Sequence, residues 1–210
     1  MQKTLILVLL IFLCASTITA QNFEGKIVYQ NVYKSKLPNV EDEQLTAMLG
    51  PSQDYMIKDG NYKSITNGTM MQWQLYRKQD NRLYIKMAGV PVVFWNDGGE
   101  NRDSILSAEI KKGAETIAGH VCDQLTLTCK SGIQKYYFTR NIKLDPQLFT
   151  QHKYGNFNEV VSRIRSVPLK VVLETAQFSV TSTATQILPA KLDEKEFELP
   201  EGSQLQKSPY

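Results

Sequence analysis

Histidine, tryptophan and cysteine are scarce in this chain of 210 residues, at two, two and three copies. The histidines, His120 and His152, lie far apart on different segments, so no histidine pair can build a metal or acid–base site on one element. A His-Glu-x-x-His zinc helix, a Gly-x-Ser-x-Gly nucleophile elbow and a phosphate-cradling glycine loop are all missing. No catalytic residue, metal ligand or cofactor motif is therefore assigned, and the expectation is a protein that is not an enzyme and carries no cofactor. An excess of one charge is lacking too. Lys and Arg number 24 against 21 acids, a net +3, and no clustered basic face speaks for nucleic acid as a partner.

Long apolar runs are absent after the N-terminus. Lys3 precedes the run from Leu5 to Ala15, and Ser16 to Ala20 supply a small-residue exit. That is the pattern of a secretory signal peptide, and the run falls short of the about 20 residues that span a bilayer. The organisation expected is a signal peptide over 1–20, one domain over 21–200 and a polar, frayed tail over 201–210. Cys14 raises lipidation, but the residue before it, Leu13, is not small. The leader predicts export, with peripheral membrane association left open.

Cys122 and Cys129 remain in the domain. On one extended strand, seven steps of about 3.3 Å place them roughly 23 Å apart, far beyond disulfide reach. Either the thiols are free and buried, or the strand breaks between them.

What is present is alternation. Residues 23–33, 55–58, 62–66, 71–76, 83–87, 105–111 and 115–117 alternate apolar and polar, as half-buried antiparallel strands do. Asp59-Gly60 and Asn67-Gly68 mark hairpin turns. The stretch Thr116–Ile142 reads as two strands joined at Lys130-Ser131-Gly132, with Val121, Leu125, Leu127 and Cys129 on one face and Cys122 on the other. Asn39 caps a helix over Val40–Leu49, ended by Gly50-Pro51. Asp145-Pro146 opens a second helical piece, and Asn158–Arg165 forms a third. Val167–Glu174 and Gln177–Leu188 are long strands, and residues 192–197 make a short helical turn. The fold class expected is mainly β: about 8–11 antiparallel strands with a few short helices, closed, split into a sandwich or curled.

Several segments together resemble a known family: 23–30 (FEGKIVYQ), 55–63 (YMIKDGNYK), 117–125 (IAGHVCDQL), 135–142 (KYYFTRNI), 167–174 (VPLKVVLE) and 195–200 (KEFELP). They look like a group of exported Gram-negative proteins whose fold is similar to that of the lipoprotein carriers LolA and LolB. The resemblance covers most of residues 23–200. It implies a strongly curved antiparallel sheet, an incomplete barrel with helices over its concave side. In the carriers that surface holds acyl chains.

Methionines and aromatics make adaptable apolar surfaces. The candidate ligand-binding face is Met71, Trp73, Leu75, Met87, Phe94, Trp95 and Phe149, for a hydrophobic small molecule or lipid; the same residues also suit plain core packing. The alternative is an envelope protein–protein interaction module with a filled core, a protein partner and an exposed apolar patch at a sheet edge. His120-x-Cys122 is a weak metal or thiolate signal, and Asp97-Gly98-Gly99-Glu100 reads as a turn. Asn67-Gly68-Thr69 fits a glycosylation acceptor but also a plain turn, and Asp103-Ser104-Ile105 resembles a bacterial O-glycosylation acceptor pattern.

Overall fold

The computed structural model describes residues 22–209. The expected signal peptide lies outside the described residues. One sheet dominates. Its first half is β1 (Gly25–Ser35), β2 (Ser52–Lys58), β3 (Asn61–Thr66), β4 (Met71–Arg77), β5 (Arg82–Met87) and β6 (Val93–Asp97). Its second half is β7 (Ile105–Ile117), β8 (His120–Cys129), β9 (Gly132–Lys143), β10 (Ser166–Glu174) and β11 (Phe178–Pro189), and β12 (Leu205–Lys207) is the last described strand. The helices are α1 (Asp42–Leu49) and α2 (Phe157–Ile164), with 3-10 turns at Pro146–Phe149, Tyr154–Asn156 and Glu194–Phe197.

The order across the sheet is β12-β6-β5-β4-β3-β2-β1-β11-β10-β9-β8-β7. Two meanders meet where β1 pairs with β11, so β6 and β7, joined directly in sequence, stand near opposite ends. Laid flat, they would be ten strand spacings apart, about 48 Å. The connection 98–104 reaches at most about 29 Å fully extended. The sheet has to curl until its ends approach, and it forms an open half-barrel.

Twelve strands replace the 8–11 expected. The extra one is β12, which pairs in parallel with β6, Leu205 opposite Val93 and Lys207 opposite Trp95. The tail expected to fray is therefore a strand end, and the sheet is mixed rather than purely antiparallel. Helix α1 starts at Asp42, two residues later than expected, because Gln44 Oε1 accepts from the Glu41 N–H and makes Glu41 the cap. Asn39 sits before it with φ 66°.

Asp59 and Gly60 both have positive φ (46° and 88°), the two-residue hairpin expected. Asn67-Gly68 is not such a turn. The connection runs over 67–70 against the end of α1, with Thr69 N–H donating to Ala47 O (2.9 Å) and Met70 N–H to Met48 O (3.0 Å). Gly68 is needed for that approach, since a Cβ there would lie 2.6 Å from the Leu49 carbonyl carbon.

The concave side carries the main core: Ile27, Tyr29, Ile57, Tyr62, Tyr76, Leu83, Leu169 and others, under Phe149 and Val161. Helix α2 buries Val160, Val161 and Ile164 there, each side chain worth about 2 kcal/mol of burial. Beside it, Leu125, Leu127, Cys129 and Phe138 pack on Val160 and Ile164. A third cluster of Met56, Leu75, Tyr84, Val93 and Phe197 lies on the other face, under the Glu194–Phe197 turn.

Cys122 and Cys129 are free and both buried. Cys122 is buried like Leu125 and Leu127, whereas Val121 is 69% exposed, against the alternation expected for β8. The β7–β8 ladder slips between Lys111 and Glu115 at this point, and such a slip re-aims side chains.

Candidate functional site

The curl leaves a cavity of about 390 Å³ between the concave face and α2. Met71 and Gln74 on β4 line it together with Tyr136 on β9. These strands stand six places apart, about 29 Å if the sheet were flat. Among the described residues no charged side chain lines it.

The cavity has a direction. At one end of the barrel, Tyr33, Leu49, Thr66, Met71, Leu173 and Phe178 stand at strand ends or at the end of α1, and all are half-buried. Deeper in, Leu144, Val160, Val161 and Val167 are fully buried. The mouth is therefore at the α1 end and the closed end is apolar.

Polar groups form a row on one wall. Ser64 Oγ donates to Gln53 Oε1 (3.0 Å), and Ser64 stands directly opposite Gln74 in the β3–β4 ladder. Ser182 adds a hydroxyl from β11. Four tyrosines complete the lining: Tyr29, Tyr33, Tyr55 and Tyr136. Burial pushes the phenol pKa of all four above its ordinary value, so they stay neutral. Tyr29 Oη donates to the Pro168 carbonyl at 2.6 Å, which fixes its ring as wall.

The closed end stands on a stack of rings. His152 lies parallel to Tyr76, with centroids 3.8 Å apart and planes 6° apart, and stacks on Phe157 at 4.6 Å. Its Nε2 and the Tyr62 hydroxyl are 2.8 Å apart. Phe149 packs on Phe157 at 5.2 Å. His152 is wholly buried, and burial pushes its pKa down to about 3, so the imidazole is neutral.

The candidate residues divide. Met71 lines the cavity; the other six do not. The register shifts between Met71 and Trp73 on β4, and a one-residue bulge moves the residues after it to the opposite face. Trp73 and Leu75 thus turn away from Met71, and Trp95 packs with them on the third cluster, its ring under the Arg82 guanidinium at 3.9 Å. Met87 pairs with Met71 and Phe94 with Ile85, so both share the Met71 face, half-buried and outside the cavity. Phe149 is core beneath the closed end. The tyrosines and the valines of β10 and β11 were not singled out from sequence. Their signal was the alternation of Val171 and Leu173, and of Phe178, Val180 and Ser182.

The His120–Cys122 pair makes no reactive site. Cys122 Sγ meets the His120 backbone carbonyl at 3.4 Å, and burial pushes its thiol pKa up, as it pushes that of Cys129 up to about 11. A raised pKa works against thiolate chemistry. Among the described residues no group of three His, Cys, Asp or Glu side chains is placed to hold a metal ion. Asp103 ties loops together, accepting from Ser131 Oγ at 2.6 Å.

No family model and no curated protein matches this chain. Among solved structures it is similar to PNGF-II, with a TM-score of 0.44 and 12% identity over 87% of this chain and 31% of that one, so it spans about a third of that protein's length. It is also similar to a LolA superfamily protein from Nitrosomonas europaea, with a TM-score of 0.37 and 8% identity over 86% of this chain and 91% of that one. The Mycobacterium tuberculosis lipoprotein LppX aligns with a TM-score of 0.34 and 10% identity over 81% and 89% of the two chains. These are distant likenesses.

Proposed function

We propose that this protein is an exported, non-catalytic binding protein that holds the apolar chain of an amphiphile in its half-barrel. The observation that carries the reading is the uncharged cavity of about 390 Å³, apolar at its closed end and polar along one wall near its mouth. Export is supported by the signal-like residues 1–20. A location in the periplasm or at the outer membrane rests on the family resemblance and belongs to the same proposal.

Size narrows the ligand. At roughly 30 Å³ per water-sized group, the cavity takes on the order of a dozen methylenes. That fits one medium acyl or alkyl chain and not a two-chain lipid. Burying a dozen methylenes yields a gross ~10 kcal/mol. Association costs at least ~4 kcal/mol. The remaining ~6 kcal/mol corresponds to tens of micromolar. The chain end goes in first, toward Leu144 and Val167. The head stays near Gln53, Ser64 and Gln74, which offer amides and a hydroxyl.

The alternative module required a filled core. The cavity weighs against that half of it.

The test is titration with a fluorescently labelled twelve-carbon chain. Val171→Trp, which fills the cavity, is expected to weaken binding at least tenfold, while Trp73→Phe on the opposite face leaves it unchanged. Equal binding by both variants, or none by the wild type at millimolar ligand, would overturn the reading.

A further inference from the structure

Strand β7 is one of the two sheet edges, and residues 106–113 along it are all exposed. The other edge, β12, is only three residues long. Leu106 is 64% and Ile110 47% exposed. An edge this long presents unpaired backbone N–H and C=O groups and needs protection or a partner.

The charges on β7 say which partner. Lys112 Nζ is paired with Asp123 at 2.6 Å, and Glu115 with Lys170 at 2.9 Å. Glu109 and Lys111 differ. Among the described residues neither side chain has a hydrogen bond or ion pair. They flank Ile110 symmetrically, one on each side. In an antiparallel pair with Ile110 opposite its own copy, Glu109 faces the second copy's Lys111, and Lys111 faces the second copy's Glu109. The same register sets Ser107 against Gly113; all of 107–113 is exposed, though the Gly113 N–H is already bonded to Asp123 Oδ1 at 3.1 Å. From Ser107 to Lys111 the ladder to β8 is unbroken, so the strand is regular where the contact would form.

We infer that β7 is a homodimer interface, in which two copies join edge to edge about a two-fold axis through Ile110 and fuse their sheets into one. Such an interface is self-complementary by symmetry. Lysines and a slipped ladder guard edges against indiscriminate pairing; here the Glu109 and Lys111 charges favour this register, because opposite charges then face each other twice. No residue of β7 lines the cavity, so the interface is independent of the ligand reading.

Charge reversal tests it. By analytical ultracentrifugation the purified protein is expected to show a concentration-dependent monomer–dimer equilibrium between 1 and ~100 µM, the range in which modest interfaces operate. Glu109→Lys and Lys111→Glu each set like charges opposite twice per dimer. Each is expected to weaken dimerisation at least tenfold, and the double reversal E109K/K111E is expected to restore it. Register is read separately. Ile110→Cys brings its two copies opposite each other and is expected to cross-link on oxidation. Ala108→Cys, four residues from its copy at about 13 Å, is not. A monomer at the top concentration would overturn the inference, as would a dimer indifferent to both reversals or cross-linking by Ala108→Cys instead of Ile110→Cys.

Discussion

At the residue scale, burial decides the protonation of His152. It is wholly buried between Tyr76 and Phe157, and its pKa falls from 6.5 to about 3 because burial penalises the cation. The unfolded chain takes up a proton as pH drops through 6.5, and the folded chain does not until about 3. Stability is thus complete above pH 6.5 and declines as pH falls toward 3. Between pH 7 and 5 the loss from this one group is about 2 kcal/mol. Urea unfolding at both pH values should show it, and His152→Phe should abolish the slope. Glu24, Asp42 and Asp123, whose pKa values are lowered chiefly by hydrogen bonds from lysines, also lose stability in acid, but at and below their ordinary range near pH 4. A slope unchanged in the variant would refute the assignment. Tyr29 offers a milder case. Tyr29→Phe removes its bond to Pro168 O and is expected to cost about 1 kcal/mol by thermal or urea denaturation.

Elements are tied together at points where only glycine fits. Gly132 opens β9 with φ 142°, and a Cβ there would collide with the Glu174 carbonyl oxygen at the end of β10. Gly119 also has positive φ (79°), but nothing lies near its missing Cβ. Gly119→Ala is expected to cost about 1 kcal/mol for backbone strain alone, and Gly132→Ala on the order of 3 kcal/mol. Denaturant midpoints measure the difference, and equal costs would contradict the close approach. The same scale explains what the sequence left hidden. Alternation located nearly every strand, because one face of each is buried. It does not reveal bulges, and one bulge in β4 sends Met71 and Trp73 to different faces. Gly68 read as a turn glycine, since nothing local announces that α1 will pack against it. The 205–207 strand has too few residues for alternation to register, and it exists because β6 offers an open edge.

At the scale of the whole molecule, curvature makes the site. The short 98–104 link between strands at opposite ends of the sheet order requires the curl, and the curl brings β4 and β9 to one cavity. That link is readable in sequence only once the strand order is known, which is why the half-barrel rested on resemblance while the strands rested on pattern. The lining was legible in kind, apolar and aromatic, but not in identity: tyrosines and valines from the strands around the β1–β11 junction form it, more than the methionines and tryptophans of the first meander. The role proposed for this cavity is to carry an amphiphile. Native mass spectrometry of protein purified without detergent tests it most directly. The expected result is an added mass, released by organic solvent, matching a single-chain amphiphile of about a dozen carbons and lost in Val171→Trp. Protein that stays bare after incubation with a lipid extract, or an added mass that the cavity-filling variant retains, would contradict it.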